Sequence, residues 1–154
     1  MLAQLSKGEH VQLKVESWGD FGLTIGTDGN ESIQILGAIP GEVVVGEVLG
    51  RTKGYVTARV IEVVTPSRHR VDIPCTYYGF CTGCQWQHID YSHQLELKKE
   101  LVLNALCEVP GFRTHLVSDT EASPKQYGYR NHARFTVGRR WGELGFVNRH
   151  NRRF

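Results

Sequence analysis

The sequence predicts a mainly β fold followed by an α+β part, and three observations carry that expectation. The first 65 residues break into five short strand-like runs, the first four each followed by a glycine-bearing turn. No helical stretch separates these runs, which disfavours a parallel sheet built through crossovers. After them come a cysteine-rich loop, one run of helical periodicity and a final pair of strand-like segments. Five short strands with frequent glycines point to a small closed or nearly closed barrel of the oligonucleotide-binding type.

The elements follow in order. Val11, Leu13 and Val15 alternate with Gln12, Lys14 and Glu16, as a half-buried strand requires. Ser17-Trp18-Gly19-Asp20 marks a break, and a second strand is expected from Phe21 to Thr27, with bends at Gly22 and Gly26. Asp28-Gly29-Asn30 reads as a turn before the alternating Ser32-Ile33-Gln34-Ile35. The Gly37-Ala38-Ile39-Pro40-Gly41-Glu42 turn leads into a fourth strand from Val43 towards Arg51. Lys53-Gly54 turns the chain into a fifth, Tyr55 to Val64. Pro66 and Pro74 then bracket an extended linker.

Ser92 to Val109 is the clear helix. Ser92 is the expected N-cap, and Leu95, Val102, Leu106 and Val109 form a stripe that Leu101 and Ala105 widen. Cys107 falls near that stripe and reads as a small buried side chain. Pro110-Gly111 ends the helix. Near the end of the chain Ala133, Phe135 and Val137 alternate with His132, Arg134 and Thr136. Arg140-Trp141-Gly142 then turns the strand back into Glu143–Val147, a hairpin. The expected divisions are residues 1–66 for the barrel, 67–91 for linker and cysteine loop, and 92–154 for an incomplete α+β domain.

Composition restricts the classes of function. A chain with 40% hydrophobic and 22% charged residues is ordinary for a globular protein. There is no apolar run long enough to span a membrane and no charged-then-apolar leader, so cytoplasm with reduced thiols is the expectation. The net charge of +2 says little, but its distribution is uneven. Residues 1–124 carry a net −5 and residues 125–154 a net +7, an asymmetry that hints at a nucleic-acid surface. On the barrel, Lys14, Arg51, Lys53 and Arg59 are candidates for phosphate contacts, and Trp18, Phe21 and Tyr55 for stacked bases.

The most informative segment is Cys75-Thr-Tyr-Tyr-Gly-Phe-Cys81-Thr-Gly-Cys84-Gln-Trp-Gln-His88. Three of the chain's four cysteines are spaced C-x5-C-x2-C, with Gly79 and Gly83 between them. Thiolates so close in sequence can converge on one metal centre. The spacing alone is compatible with an iron–sulfur cluster, a zinc knuckle, or a disulfide beside a spare thiol.

Pro74-Cys75, Cys81-Thr-Gly-Cys84, Gln85-x-Gln87-His88 and Tyr91-x-x-Gln94-Leu95-x-x-Lys98 resemble the cluster segment of the RNA uracil-5-methyltransferases, with Thr82 departing from the usual C-G-G-C. Ala38-Ile39-Pro40-Gly41-Glu42 and the strand after it are similar to the TRAM domain, the RNA-binding barrel of that family. Tyr129-Arg130-Asn131-x-Ala133-Arg134 and Gly145-Phe146 resemble its central-domain signature. The resemblance implies that Cys75, Cys81 and Cys84 are ligands of a 4Fe–4S cluster whose fourth cysteine is absent here. It implies a packing or hydrogen-bonding role for His88, and RNA contacts by Arg130, Asn131 and Arg134. Arginine suits such contacts because its planar fork binds phosphate and stacks on bases. The family uses S-adenosylmethionine, yet this chain shows no glycine-rich strand–turn–helix for it and no matching catalytic cysteine. The expectation is an RNA-binding, cluster-bearing N-terminal fragment that cannot methylate alone. The competing expectations are a free-standing TRAM-type RNA-binding protein with a zinc or iron–sulfur knuckle, and a zinc-bound interaction module.

Overall fold

The computed structural model describes residues 5–29, 31–52, 54–138 and 142–147. The strands β1 (His10–Trp18), β2 (Thr24–Thr27), β3 (Ser32–Leu36), β4 (Val43–Thr52) and β5 (Tyr55–Thr65) close a barrel in the order β1-β2-β3-β5-β4. The mainly β architecture is therefore the predicted one: a closed five-stranded barrel, one helix and a hairpin. Four of the strand pairings are antiparallel, while β3 and β5 pair in parallel from Ile33↔Val56 to Leu36↔Arg59. That parallel pair needs no helix, because β4 itself carries the chain back to the starting end.

The alternation read in the sequence becomes the barrel's interior. Leu13 and Val15, Ile33 and Ile35, Val44 and Val48, and Val56 and Ala58 all point inward, joined by Ala38 from the loop after β3. Gly26 is required where β1 and β2 approach, since a Cβ there would sit 2.7 Å from the Lys14 carbonyl oxygen. Two details differ from expectation. β1 runs on through Ser17 and Trp18, because a bulge between Val15 and Ser17 absorbs the irregularity. β2 starts only at Thr24, because residues 20–22 form a tight 3-10 turn instead of strand.

The chain clusters into two compact units, Met1–His88 with Phe135–Phe154, and Ile89–Arg134. In the first, the hairpin strands β6 (Thr136–Val137) and β7 (Leu144–Gly145) pair antiparallel, with Phe135 and Phe146 in ring contact at 5.1 Å. The turn residues Arg140 and Trp141 lie outside the described residues. In the second, α1 spans Tyr91–Leu106. Its N-cap is Asp90, not Ser92: the Asp90 carboxylate accepts from the His93 N–H at 3.0 Å, and Ser92 Oγ donates to the same carboxylate. Residues 119–123 run back along one face of α1. Thr120 Oγ1 donates to the Leu95 carbonyl, Lys99 pairs with Asp119, and the Ser123 N–H donates to Tyr91 Oη.

The predicted apolar stripe on α1 is only partly used. Its members Leu95 and Leu106 are half-buried, whereas Leu101, Val102 and Val109 are about half exposed, Val109 lying beyond the helix end. The buried residue of α1 is Leu97, which the expected stripe did not include. Cys107 is likewise exposed rather than buried. Helical spacing specifies a face, but burial needs something packed on it.

Candidate functional site

The cysteine loop sits on one end of the barrel, and the hub of its attachment is the Gly37–Glu42 turn. Glu42 is fully buried, yet its carboxylate has four donors. Oε2 accepts from the Ile39 N–H at 2.9 Å and from Arg70 Nη2 at 2.6 Å. Oε1 accepts from the Ser67 N–H at 3.0 Å and from Arg70 Nε at 2.6 Å. Arg70 Nη2 also donates to the Gly37 carbonyl at 2.8 Å. Burial is the largest single influence on Glu42 and would raise its pKa. The Arg70 guanidinium and the Ser67 and Ile39 N–H groups together outweigh it and hold the carboxyl below its ordinary value. Arg70, within the expected extended linker, is the clamp that fixes that linker to the barrel.

His88 makes the second attachment. Its Nε2–H donates to the Ala38 carbonyl at 3.1 Å, which leaves Nδ1 facing the Tyr78 hydroxyl at 2.6 Å. The Tyr78 hydroxyl also contacts the Gln85 carbonyl. Burial, followed by the nearby Arg70 charge, lowers the His88 pKa to about 4, against the opposing pull of Ala38 and Glu42, so the ring is neutral at pH 7. The packing and hydrogen-bonding role expected for His88 is what this geometry provides.

The third attachment lies at the β1–β2 turn. Gln85 Nε2 donates to the Phe21 carbonyl at 2.7 Å and Trp86 Nε1 to the Gly22 carbonyl at 3.2 Å. The Trp86 ring packs against Trp18 at 5.4 Å. Gly22 is obligatory: its φ is +73°, and a Cβ would meet Trp86 Nε1 at 2.8 Å. On the adjoining face the Arg59 guanidinium stacks 4.1 Å from the Phe80 ring centre while also pairing with Glu47. Thr82 ties the loop to the hairpin, its N–H and hydroxyl both donating to the Val147 carbonyl.

Cys75, Cys81 and Cys84 are all free thiols, the first two half-buried and the third exposed. The Gly83 N–H donates to Cys81 Sγ at 3.3 Å and Gln87 Nε2 to Cys84 Sγ at 3.0 Å. Such N–H···S bonds suit thiolate ligands in kind. The placement does not gather the three sulfurs, however. Among the described residues no three His, Cys, Asp or Glu side chains stand close enough to hold a metal ion. The loop as folded here thus has the donors of a cluster without its geometry.

The other expected site residues are scattered. Arg130, Asn131 and Arg134 lie in the Ile89–Arg134 unit, exposed and outside regular structure, with Arg130 over the Tyr129 ring at 5.6 Å. Lys53 lies outside the described residues. Of the other barrel cations, Lys14 is exposed, Arg51 is bound bidentate by Glu31, and Arg59 is held by Glu47. Glu42, Arg70, Gln85 and Trp86 were not legible as a set, because their partners lie 25 to 64 residues away in the chain. The one available signal was a carboxylate directly after Pro40-Gly41, which places it at the end of a tight turn.

These features define a small β-barrel that carries a docked cysteine loop. No family model matches the chain. A protein of Caldanaerobacter subterraneus subsp. tengcongensis named an uncharacterized RNA methyltransferase is 35% identical over 134 residues, 87% of this chain and 30% of that protein. Proteins of the same description from Gloeobacter violaceus and Clostridium tetani are 36% and 32% identical, over 79% and 91% of this chain. The similarity runs along most of this chain, which spans only 26–30% of the length of these relatives. Among the described residues, no helix is long and apolar enough to cross a membrane.

Proposed function

We propose that the chain is the RNA-binding, iron–sulfur-cluster-bearing portion of an S-adenosylmethionine-dependent uracil-5-methyltransferase acting on ribosomal or transfer RNA. The observation that carries this is the C-x5-C-x2-C loop seated on a closed barrel in a chain related to RNA methyltransferases. Cys75, Cys81 and Cys84 supply three ligands once the loop closes around a cluster, and a fourth ligand comes from elsewhere. Arg130, Asn131, Arg134 and Lys53 contact RNA phosphates or bases. No residue of this chain is assigned to methyl-donor binding or to catalysis in this reading, which concerns RNA binding and the cluster alone.

The test is anaerobic reconstitution with iron and sulfide, followed by measurement of iron, acid-labile sulfide and zinc per polypeptide, together with RNA binding across a salt series. Near-equal iron and sulfide, lost in Cys75→Ser, with RNA affinity that falls as salt rises, is the expected result. Zinc alone with RNA binding retained would replace the reading by a free-standing TRAM-type RNA-binding protein with a zinc knuckle. No RNA binding at low salt would reject both.

A further inference from the structure

The β1–β2 turn contains a feature that neither the barrel core nor the cysteine loop explains. Phe21 is the only non-glycine residue with positive φ among the described residues, at φ 55° and ψ 30°. That conformation is unfavourable for a bulky L-residue, and glycine is the usual choice there. The ring gains nothing from it by burial, since it is 83% exposed, the most exposed of the large hydrophobic side chains described. A strained backbone that holds an aromatic ring in water is stabilised by neither packing nor local preference.

The backbone beneath the ring is held firmly from both sides. The Phe21 carbonyl accepts from Gln85 Nε2 and the Gly22 carbonyl from Trp86 Nε1, so the docked loop fixes two successive carbonyls, those of Phe21 and Gly22. The Gly19 N–H donates to the Leu23 carbonyl and the Leu23 N–H to the Asp20 carbonyl, which close the turn on itself. The ring is thereby presented by a preorganised support, which lowers the entropy lost on binding.

We propose that Phe21 is a stacking platform for one unpaired base of single-stranded RNA, a site that rests on the RNA-binding reading above. A single projecting ring has the dimensions of one base face, and base–aromatic stacking is tolerant of sequence. The turn carries Asp20 and no cation, so its contribution is stacking and not phosphate neutralisation. A protein partner would need a broader apolar surface than one ring beside Asp20 and Gln85 offers.

The experiment measures binding of fluorescein-labelled decauridylate at low salt to the full chain, Phe21→Gly and Phe21→Tyr, with inorganic polyphosphate as competitor and Trp fluorescence as second readout. Phe21→Gly relieves the strained φ, so it melts at or above the wild-type temperature. It binds decauridylate about tenfold more weakly, the loss expected for one stacked base. Phe21→Tyr binds like wild type, and polyphosphate competes equally well for wild type and Phe21→Gly. The fluorescence change on binding, reported by Trp86, whose indole N–H bonds the adjacent Gly22 carbonyl, is lost in Phe21→Gly. Unchanged decauridylate affinity in a folded Phe21→Gly overturns the platform while leaving RNA binding intact, and would assign the ring to a protein contact. Failure of the wild-type chain to bind decauridylate overturns the platform and the RNA reading together.

Discussion

The barrel and the Ile89–Arg134 unit are built from similar proportions of apolar residues, yet they end in opposite states. In the barrel the strands close over a sealed core, with Ile33, Ile35, Val44 and Ala58 at 0% exposure and Val11, Val60 and Val63 packed partly buried against it. In the Ile89–Arg134 unit, Leu97 and Ile89 are buried while Leu101, Val102, Val109 and Leu116 remain 46–65% exposed. The difference lies in closure. A sheet closed on itself buries its own inner face, whereas one helix with a returning strap covers only the side the strap follows. Apolar patterning thus produces a core only where the topology supplies a second surface.

Electrostatics follows the same division. In the first unit the fully buried Glu42 carboxylate meets Arg70, whose side chain is only 15% exposed, whereas in the second the Lys99–Asp119 pair leaves the Asp119 side chain 94% exposed. The largest effect expected from this contrast is that of Arg70→Ala. It leaves the Glu42 carboxylate buried without its charged partner, and should cost about 3–5 kcal/mol by urea unfolding. A loss below about 1 kcal/mol, the scale of a surface pair, would show that the network is no different from the exposed pairs.

Acid should separate the two units next. His88 has a folded pKa of about 4 against 6.5 unfolded, so the unfolded state binds the proton first. Its contribution is fully present above pH 6.5 and declines as pH falls towards 4, by about 3 kcal/mol at most. Glu42, with a folded pKa below its ordinary 4.5, adds a further loss as pH drops below that value. Melting followed between pH 7.5 and 4.5 should therefore show a falling transition temperature that His88→Gln flattens. A pH-independent wild-type transition over that range would contradict the neutral buried imidazole.

The smallest effect belongs to the exposed helix face. Leu101→Ser should change stability by no more than about 0.5 kcal/mol, as surface substitutions do. Removing the Ile35 side chain to Ala, also apolar but fully buried, should cost about 2–5 kcal/mol. Equal losses at the two positions in parallel denaturant titrations would erase the distinction.

Much of the fold was legible because its information is local. The period-two alternation of β1, β3 and β5, and turns such as Asp28-Gly29 and Pro40-Gly41-Glu42, are each written in fewer than ten adjacent residues. The helix was legible for the same reason, although its cap lay two residues earlier than read, since Asp90 and Ser92 are both good caps and only the geometry chooses. The site was less legible. The cysteine spacing marked the loop, but nothing in it says which part of the barrel it meets.

Local pattern was enough for the barrel's strands, most of its inward residues, the helix, the thiol spacing and the resemblance to RNA methyltransferases. Closure of the chain set the parallel β3–β5 pairing, the Arg70–Glu42 clamp, the seating of His88 and Trp86 and the strained exposure of Phe21. The reason is physical. Strand and helix periodicities are fixed by backbone geometry over a few residues. A buried ion pair or a docked loop depends on which distant groups lose water together, and that follows only once the chain has closed on itself.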